Sequence, residues 1–105
     1  IAKAGAIHPL VELLTSGTAG AKGKAAGALW NLAANYNNKT VIAKAGAIPS
    51  LVDLLTLGTA VAKENAAGAL ANLAANSDNR VEIAKAGAIP LFVAFLTSGM
   101  VVAKE

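Results

Sequence analysis

The heptapeptide IAKAGAI, residues 1–7, recurs at residues 42–48 and again at residues 83–89. The spacing between successive copies is 41 residues in both cases. A repeat period of about 20 to 50 residues is typical of a solenoid, in which each unit buries its apolar faces against its neighbours. The chain of 105 residues is therefore predicted to contain two full periods and part of a third.

The first two copies, residues 1–41 and 42–82, are identical at 28 of 41 aligned positions. Neighbouring units of natural solenoids usually differ more than this. Recent duplication and design are both expected to leave such regularity, and both interpretations stay open.

The composition excludes several classes of protein. Hydrophobic residues make up 55% of the chain and charged residues 14%, against about 25% charged residues in ordinary domains. There is no cysteine, so a disulfide framework or a thiolate metal site is excluded, which fits a cytoplasmic or nuclear location. No apolar run approaches the roughly 20 residues of a membrane-spanning helix, so no membrane partner is expected.

The net charge of +3 comes from basic residues that are scattered along the chain. Lys3, Lys44 and Lys85 share one position of the repeat, near the end of a short helix, where a cation complements the helix dipole. No basic cluster alternates with aromatic residues, so nucleic acid is not an expected partner.

Residues 38–78 are predicted to form one complete unit of three helices. The first helix covers residues 38–45, with an asparagine that can cap its start and Gly46 placed to end it. The second begins around Pro49, since proline suits the first helical turn. Its apolar residues follow a helical period and end before Gly58.

A longer third helix is predicted over residues 60–75, with Thr59 as its cap. Gly68 lies midway along this helix, as Gly27 does in the first copy. A glycine inside a helix costs about 1 kcal/mol relative to alanine. Close approach of a neighbouring helix, or a bend of the stack, is the predicted structural reason.

The outer units are predicted to be incomplete. Residues 1–37 form a first unit that lacks most of its first helix, and His8-Pro9 there replaces a Pro-Ser dipeptide, which predicts a later start for the second helix. Residues 79–105 form a third unit that is truncated in its third helix, where Met100 replaces the threonine cap.

This organisation resembles that of armadillo-repeat proteins. The motif Asn-x-x-x-Ile-Ala-x-Ala-Gly-Ala-Ile-Pro occurs at residues 79–90, and Ala-Ala-Gly-Ala-Leu-x-Asn-Leu-Ala occurs at residues 66–74. The resemblance covers essentially the whole chain and implies an all-α solenoid, a right-handed superhelix of three-helix units. HEAT repeats are the second choice, but they typically have two helices per unit and lack the Gly-Ala-Ile-Pro junction.

The resemblance also implies a concave groove, lined by third helices, that receives an extended peptide or protein segment. In this family an asparagine on each third helix hydrogen-bonds the main chain of the peptide, and Asn31 and Asn72 match that position. An amide group both donates and accepts, which suits a peptide bond. Lys24 and Asn65 lie two turns earlier on the same face. Trp30 lies at its edge, where it either contacts a ligand or packs against the adjacent third helix.

The importin-α branch of the family carries a tryptophan four residues before this asparagine, which forms pockets for lysine side chains. Gly27 and Gly68 occupy those positions here. This departure argues against recognition of nuclear localisation signals of the importin type.

No pattern of catalytic or metal-binding residues is present. His8 is the only histidine, and it lacks the serine, cysteine or carboxylate spacing of a triad or a metal site. The glycines fall inside helices or at their junctions and form no phosphate-binding loop. A non-catalytic scaffold without cofactor or metal is therefore expected.

The ends of the repeat array suggest an alternative function. Solenoids normally protect their ends with polar capping repeats, and the sequence contains none. Exposed apolar patches mark association sites, so a homo-oligomer is predicted, with a symmetric dimer favoured and head-to-tail stacking as the competing geometry. In this alternative the chain is a self-associating structural or engineered fragment, and its contact residues in the last unit are Leu91, Phe92, Phe95, Leu96, Val101 and Val102.

Overall fold

The computed structural model describes the backbone of residues 2–87 and the side chains of residues 5–87, and this part of the chain contains six α-helices and no strands. The helices are α1 (Ala2–Ser16), α2 (Ala19–Ala33), α3 (Tyr36–Lys44), α4 (Ala47–Leu57), α5 (Ala60–Leu73) and α6 (Ser77–Lys85). Helices α3, α4 and α5 are the three helices of the complete unit. The predicted all-α solenoid is confirmed.

The core lies between the two copies of the repeat. Helices α2 and α5, the third helices of the first and second units, form the most extensive contact, while α1 packs on α2 and α4 packs on α5. Many of the buried residues are alanines, whose small side chains let the helix backbones approach closely. The largest fully buried side chains are Ile7, Leu29, Ile42, Ile48, Leu51, Leu70 and Leu73.

Threonine caps begin both third helices. The hydroxyl of Thr59 accepts a hydrogen bond of 3.1 Å from the backbone N–H of Ala62, and Thr18 caps α2 in the same way. The predicted cap at Thr59 is thus confirmed. Helix α5 ends at Leu73, before the predicted residue 75, because Asn76 adopts an extended backbone and caps the next helix.

The first helix of the complete unit begins earlier than predicted. Helix α3 begins at Tyr36, and its cap is Asn35, whose side-chain oxygen accepts from the backbone N–H two residues later at 2.9 Å. Asn38, the predicted start, is buried inside the helix and donates to the carbonyl of Leu32 at 2.9 Å. Asn76 caps α6 as Asn35 caps α3. The predicted unit boundaries before residues 38 and 79 therefore fall inside helices.

The junction between α3 and α4 is a sharp bend. Gly46 has a φ of 92°, which places it in the left-handed region that glycine adopts without strain. The axes of α3 and α4 differ in direction by 84°. Helix α4 begins at Ala47, so Pro49 is its third residue, where its missing N–H removes no intrahelical bond.

The first unit lacks this bend, and the prediction of a later start for its second helix is wrong. Helix α1 runs without interruption through Gly5 and Pro9, and Gly5 has no positive φ. The separate helix α3 packs against both α1 and α6, whereas no unit precedes α1 within residues 2–87. The Ala-rich heptapeptide has a high helix propensity, which fits a continuous helix in the first unit.

A basic side chain caps the C-terminal end of both third helices within residues 2–87, and the sequence did not predict this cap. Lys39 is buried and donates its Nζ to the carbonyl of Ala33, at the end of α2. Arg80, at the same repeat position, donates its Nε to the carbonyl of Ala74 at 2.9 Å. A cation there satisfies carbonyls that lack an intrahelical partner and complements the helix dipole. The sequence signal for this cap was the presence of a basic residue, Lys39 or Arg80, at the same repeat position in both copies.

Two further observations concern predictions made from the sequence. Within residues 2–87, no single helix has both the length and the apolar character needed to cross a membrane; only the bent pair of α3 and α4, taken together, meets the two criteria. The six residues predicted to mediate self-association in the last unit lie outside the described residues, as does Met100.

Candidate functional site

All five predicted groove residues lie on α2 and α5. Lys24, Trp30 and Asn31 of α2 are exposed, and Asn65 and Asn72 of α5 are half-buried. The two helices pack side by side, and the side chains of α5 reach the backbone of α2 at two points. The five residues therefore lie on two neighbouring helices, which are joined by hydrogen bonds from α5 side chains to the α2 backbone.

Asn72 is held by the neighbouring helix. Its Nδ2 donates a hydrogen bond of 3.0 Å to the backbone carbonyl of Trp30. An asparagine side chain carries two N–H donors and one carbonyl acceptor, so this bond leaves one N–H and Oδ1 for another partner. Asn31, at the same repeat position, is exposed and makes no side-chain hydrogen bond within the described residues.

Asn65 makes a second bond of the same kind. Its Nδ2 donates to the backbone carbonyl of Gly23 at 3.0 Å, and the same amide lies over Gly27, where an added Cβ would come within 3.0 Å of Nδ2. The amide of Asn65 thus joins α5 to α2. Lys24 holds this position in the first copy, and its side chain is exposed.

Trp30 packs against the adjacent third helix and also remains accessible. Its indole covers Gly68, where an added Cβ would lie 2.3 Å from both Cδ2 and Cε2 of the ring. The prediction that Gly68 permits close approach of a neighbouring helix is confirmed. The side chain of Trp30 is nevertheless 37% exposed, so the packing and contact interpretations are compatible.

This packing also explains the departure from the importin pattern. The space beside Gly68 is filled by the indole of Trp30, and the space beside Gly27 is filled by the amide of Asn65. A Cβ at position 68 would lie 2.3 Å from the indole, so a larger side chain there would require Trp30 to move.

The described residues contain little that suggests other chemistry. Within residues 2–87, no three His, Cys, Asp or Glu side chains lie close enough to hold a metal ion. His8 is exposed, and its Nε2 lies 3.5 Å from the Oε2 of Glu12 one turn later. A cleft of about 310 Å³ lies between the α1–α2 and α4–α5 turns, with Lys22 and Asp53 in its wall, and it includes none of the five groove residues.

Solved structures that are similar to this chain include two engineered proteins. One is the crystal structure of an engineered protein, a Northeast Structural Genomics Consortium target, with a TM-score of 0.83 and 34% sequence identity over 89% of this chain and 38% of that chain. The other is a designed armadillo repeat protein, with a TM-score of 0.83 and 34% identity over 90% of this chain and 41% of that chain. This chain thus spans less than half the length of either. Comparison with curated proteins gives no match.

The Armadillo/beta-catenin-like repeat family matches residues 1–34 and 35–75. The second match begins at Asn35, the residue that caps α3, so the family's unit and the structural unit begin together. With more than half of its residues matched and its fold shared with a designed armadillo protein, this chain belongs to the armadillo/β-catenin-like repeat family.

Proposed function

We propose that this chain is a non-catalytic scaffold that binds an extended peptide or protein segment across α2 and α5. Armadillo repeats generally serve as protein-interaction scaffolds, and neither they nor designed repeat proteins are typically catalytic. In this proposal Asn31 and Asn72 bind the peptide main chain, and Trp30 and Lys24 contact its side chains.

The orientation of Asn72 is the observation that supports the proposal most directly. Its bond to the carbonyl of Trp30 fixes the amide plane before any ligand arrives. The free N–H and Oδ1 can then pair with the C=O and N–H of one peptide residue. Because the side chain is already ordered, binding loses less conformational entropy.

The spacing of the helices suits an extended ligand. Packed helices generally lie about 8–10 Å apart, and an extended chain advances roughly 3.3–3.6 Å per residue. Asn31 and Asn72 occupy the same position on adjacent helices, so they would contact the peptide at residues two or three apart. Contacts at that interval hold the main chain straight and leave intervening side chains free.

In this proposal Trp30 contacts a ligand side chain between these two anchors. Its indole is supported from below by Gly68, and its carbonyl holds Asn72. A large, partly exposed aromatic ring on a rigid support is typical of residues that dominate binding energy at interfaces.

The test begins with a displayed library of extended peptides, from which one binder is selected and labelled. Fluorescence anisotropy then measures its Kd against the unaltered chain, Asn31→Ala and the double variant Asn31→Ala/Asn72→Ala. We expect Asn31→Ala to weaken binding about threefold to tenfold, since a hydrogen bond contributes about 0.5–1.5 kcal/mol. The double variant should weaken it further.

Asn37→Ala is the matched control, because Asn37 is exposed and belongs to α3 rather than to α2 or α5, and it should leave Kd unchanged. Asn72→Ala also removes an interhelical bond, so a thermal melt must show that the double variant is folded at the assay temperature. An unchanged Kd in both the single and the double variants would contradict the groove assignment.

A further inference from the structure

The cleft between the α1–α2 turn and the α4–α5 turn has the size of a small-molecule site. Its volume of about 310 Å³ lies at the lower end of the range of ligand pockets, roughly 300–1,000 Å³. Its walls come from two neighbouring units, the first through α1 and α2 and the second through α4 and α5. None of the five groove residues lines it, so it is a separate place on the molecule.

Three leucines give the cleft an apolar surface. Leu14 of α1 and Leu54 of α4 are buried, whereas Leu57 at the end of α4 is 80% exposed. The other two copies of the repeat have serine at the position of Leu57, namely Ser16 and Ser98. Exposing a leucine to water gains no stability, because burial of apolar area is what stabilises. Leu57 is therefore an apolar feature of this one cleft that the repeat pattern does not require.

Two opposite charges also line the cleft. Lys22, near the start of α2, is half-buried, and Asp53 of α4 is exposed. Neither has an ion-pair partner among residues 5–87. The first turns of α2 and α5 border the cleft as well, and the positive ends of their dipoles add to the attraction of Lys22 for an anion. The cleft thus offers an ammonium group for a carboxylate and a carboxylate for an ammonium group, beside an apolar surface.

We propose that this cleft binds a free apolar α-amino acid. The ligand carboxylate pairs with Lys22, the ligand ammonium pairs with Asp53, and the ligand side chain packs against Leu57 and the two buried leucines. Hydrogen bonds between two charged groups are stronger than neutral ones. A ligand that lacks either charge leaves one protein charge unpaired, so the cleft favours the zwitterion over its singly charged analogues.

The probe is L-phenylalanine, whose ring is large enough to contact more than one of the leucines. Its Kd is measured by nuclear magnetic resonance, from the backbone amide shifts of the ¹⁵N-labelled chain. We expect saturable shifts at the residues that line the cleft. The analogues 3-phenylpropionate and 2-phenylethylamine should each bind about threefold to fivefold more weakly, the loss expected for one partly exposed ion pair. Glycine, which has both charges but no apolar side chain, should cause no saturable shift.

Substitutions at the two charges should change the preference among ligands in opposite ways. Asp53→Asn should weaken phenylalanine binding about threefold to fivefold and make phenylalanine and 3-phenylpropionate bind alike. Lys22→Gln should do the same for phenylalanine and 2-phenylethylamine. Lys63→Gln and Glu12→Gln are the matched controls, because these residues share the repeat positions of Lys22 and Asp53 but do not line the cleft.

Leu57→Ser tests the apolar contact and restores the serine of the other copies. It should weaken phenylalanine binding at least twofold without changing the helical circular dichroism signal, because Leu57 is largely exposed. Asp53 is also exposed, so both variants are expected to fold and the test does not depend on Lys22→Gln.

The absence of saturable shifts with phenylalanine up to its solubility limit would overturn the proposal. Equal affinity for phenylalanine and both analogues would also overturn it, as would equal weakening by the control variants. The outcome is distinct from that of the peptide test, because Asn31 and Asn72 do not line the cleft. Their double substitution should leave the Kd for phenylalanine unchanged.

Discussion

The heptapeptide IAKAGAI has two conformations in one molecule. At residues 42–48 it contains the bend at Gly46, with φ at 92° and an angle of 84° between the helices on either side. At residues 1–7 the same residues form the start of the straight helix α1 from Ala2 onward. Identical residues therefore adopt both conformations, so the heptapeptide alone does not determine which one forms.

The third helices show the complementary case, in which different residues at one position take different roles. Helix α5 supplies the donors Asn65 and Asn72, while α2 supplies the carbonyls of Gly23 and Trp30 as acceptors. Trp30 of α2 covers Gly68 of α5. The two copies are identical at 28 of 41 positions. At their shared interface, however, α5 contributes side-chain donors and α2 contributes backbone acceptors.

The largest expected difference between the copies is at Gly27 and Gly68. Gly68→Ala places a Cβ 2.3 Å from the rigid indole of Trp30, so we expect overpacking to lower the free energy of unfolding by about 1–3 kcal/mol. Gly27→Ala meets only the flexible amide of Asn65, at 3.0 Å. We expect nearly no change there, because a loss from displacing Asn65 offsets the gain of about 1 kcal/mol in helix propensity.

Urea unfolding monitored by circular dichroism measures both variants. Gly20→Ala serves as a control for helix propensity alone, since nothing lies within 4 Å of the added Cβ. Equal losses in Gly27→Ala and Gly68→Ala would show that the indole does not occupy the space beside Gly68.

The next largest difference concerns the two conformations of the heptapeptide. Gly46→Ala forces a side chain into the left-handed region, which costs about 1–2 kcal/mol. Gly5→Ala in the straight helix α1 should instead stabilise the chain by roughly 0.5–1 kcal/mol, because nothing lies within 4 Å of the added Cβ. Thermal unfolding of the two variants gives the signs directly. A destabilising Gly5→Ala would mean that the first copy bends at Gly5 as the second bends at Gly46.

The smallest effect separates Asn65 from Lys24, which share a repeat position. Asn65→Ala removes the bond to the carbonyl of Gly23 and should cost about 1 kcal/mol. Lys24→Ala removes an exposed side chain and should change the stability by less than about 0.5 kcal/mol. The comparison is made by urea unfolding monitored by circular dichroism. If both substitutions have the same effect, the bond between α5 and α2 contributes nothing to stability.

Local sequence signals predicted much of the second unit. Thr59 was identified as a cap and Gly46 as a helix end, because each acts through bonds or backbone angles within a few residues. Local signals alone do not place Asn35, because asparagine suits both the end of one helix and the start of the next; the structure makes it the cap of α3. The helix-ending bond of Lys39 was missed because it spans six residues and needs the turn between α2 and α3 to form.

The groove residues were placed on the correct helices, but their bonds were not foreseen. The 41-residue register puts Asn31 and Asn72 in equivalent positions. Only the packed structure shows that Asn72 donates to Trp30 while Asn31 makes no such bond within the described residues. Asn72 has the backbone of α2 beside it, whereas within residues 2–87 no third helix precedes α2 to offer Asn31 a carbonyl. The repeat pattern treats the two positions as equivalent and cannot show this difference.

The sequence by itself determined the period, the all-α solenoid and the armadillo unit, because these depend on apolar spacing and on caps that act within one or two helical turns. The tertiary structure decided the conformation of IAKAGAI, the partner of each asparagine and the burial of each leucine. Those depend on which helix lies alongside, and identical residues meet different neighbours in the first and second copies. The heptapeptide therefore permits a bend, and in the second copy the bend occurs where α3 packs against both α1 and α6.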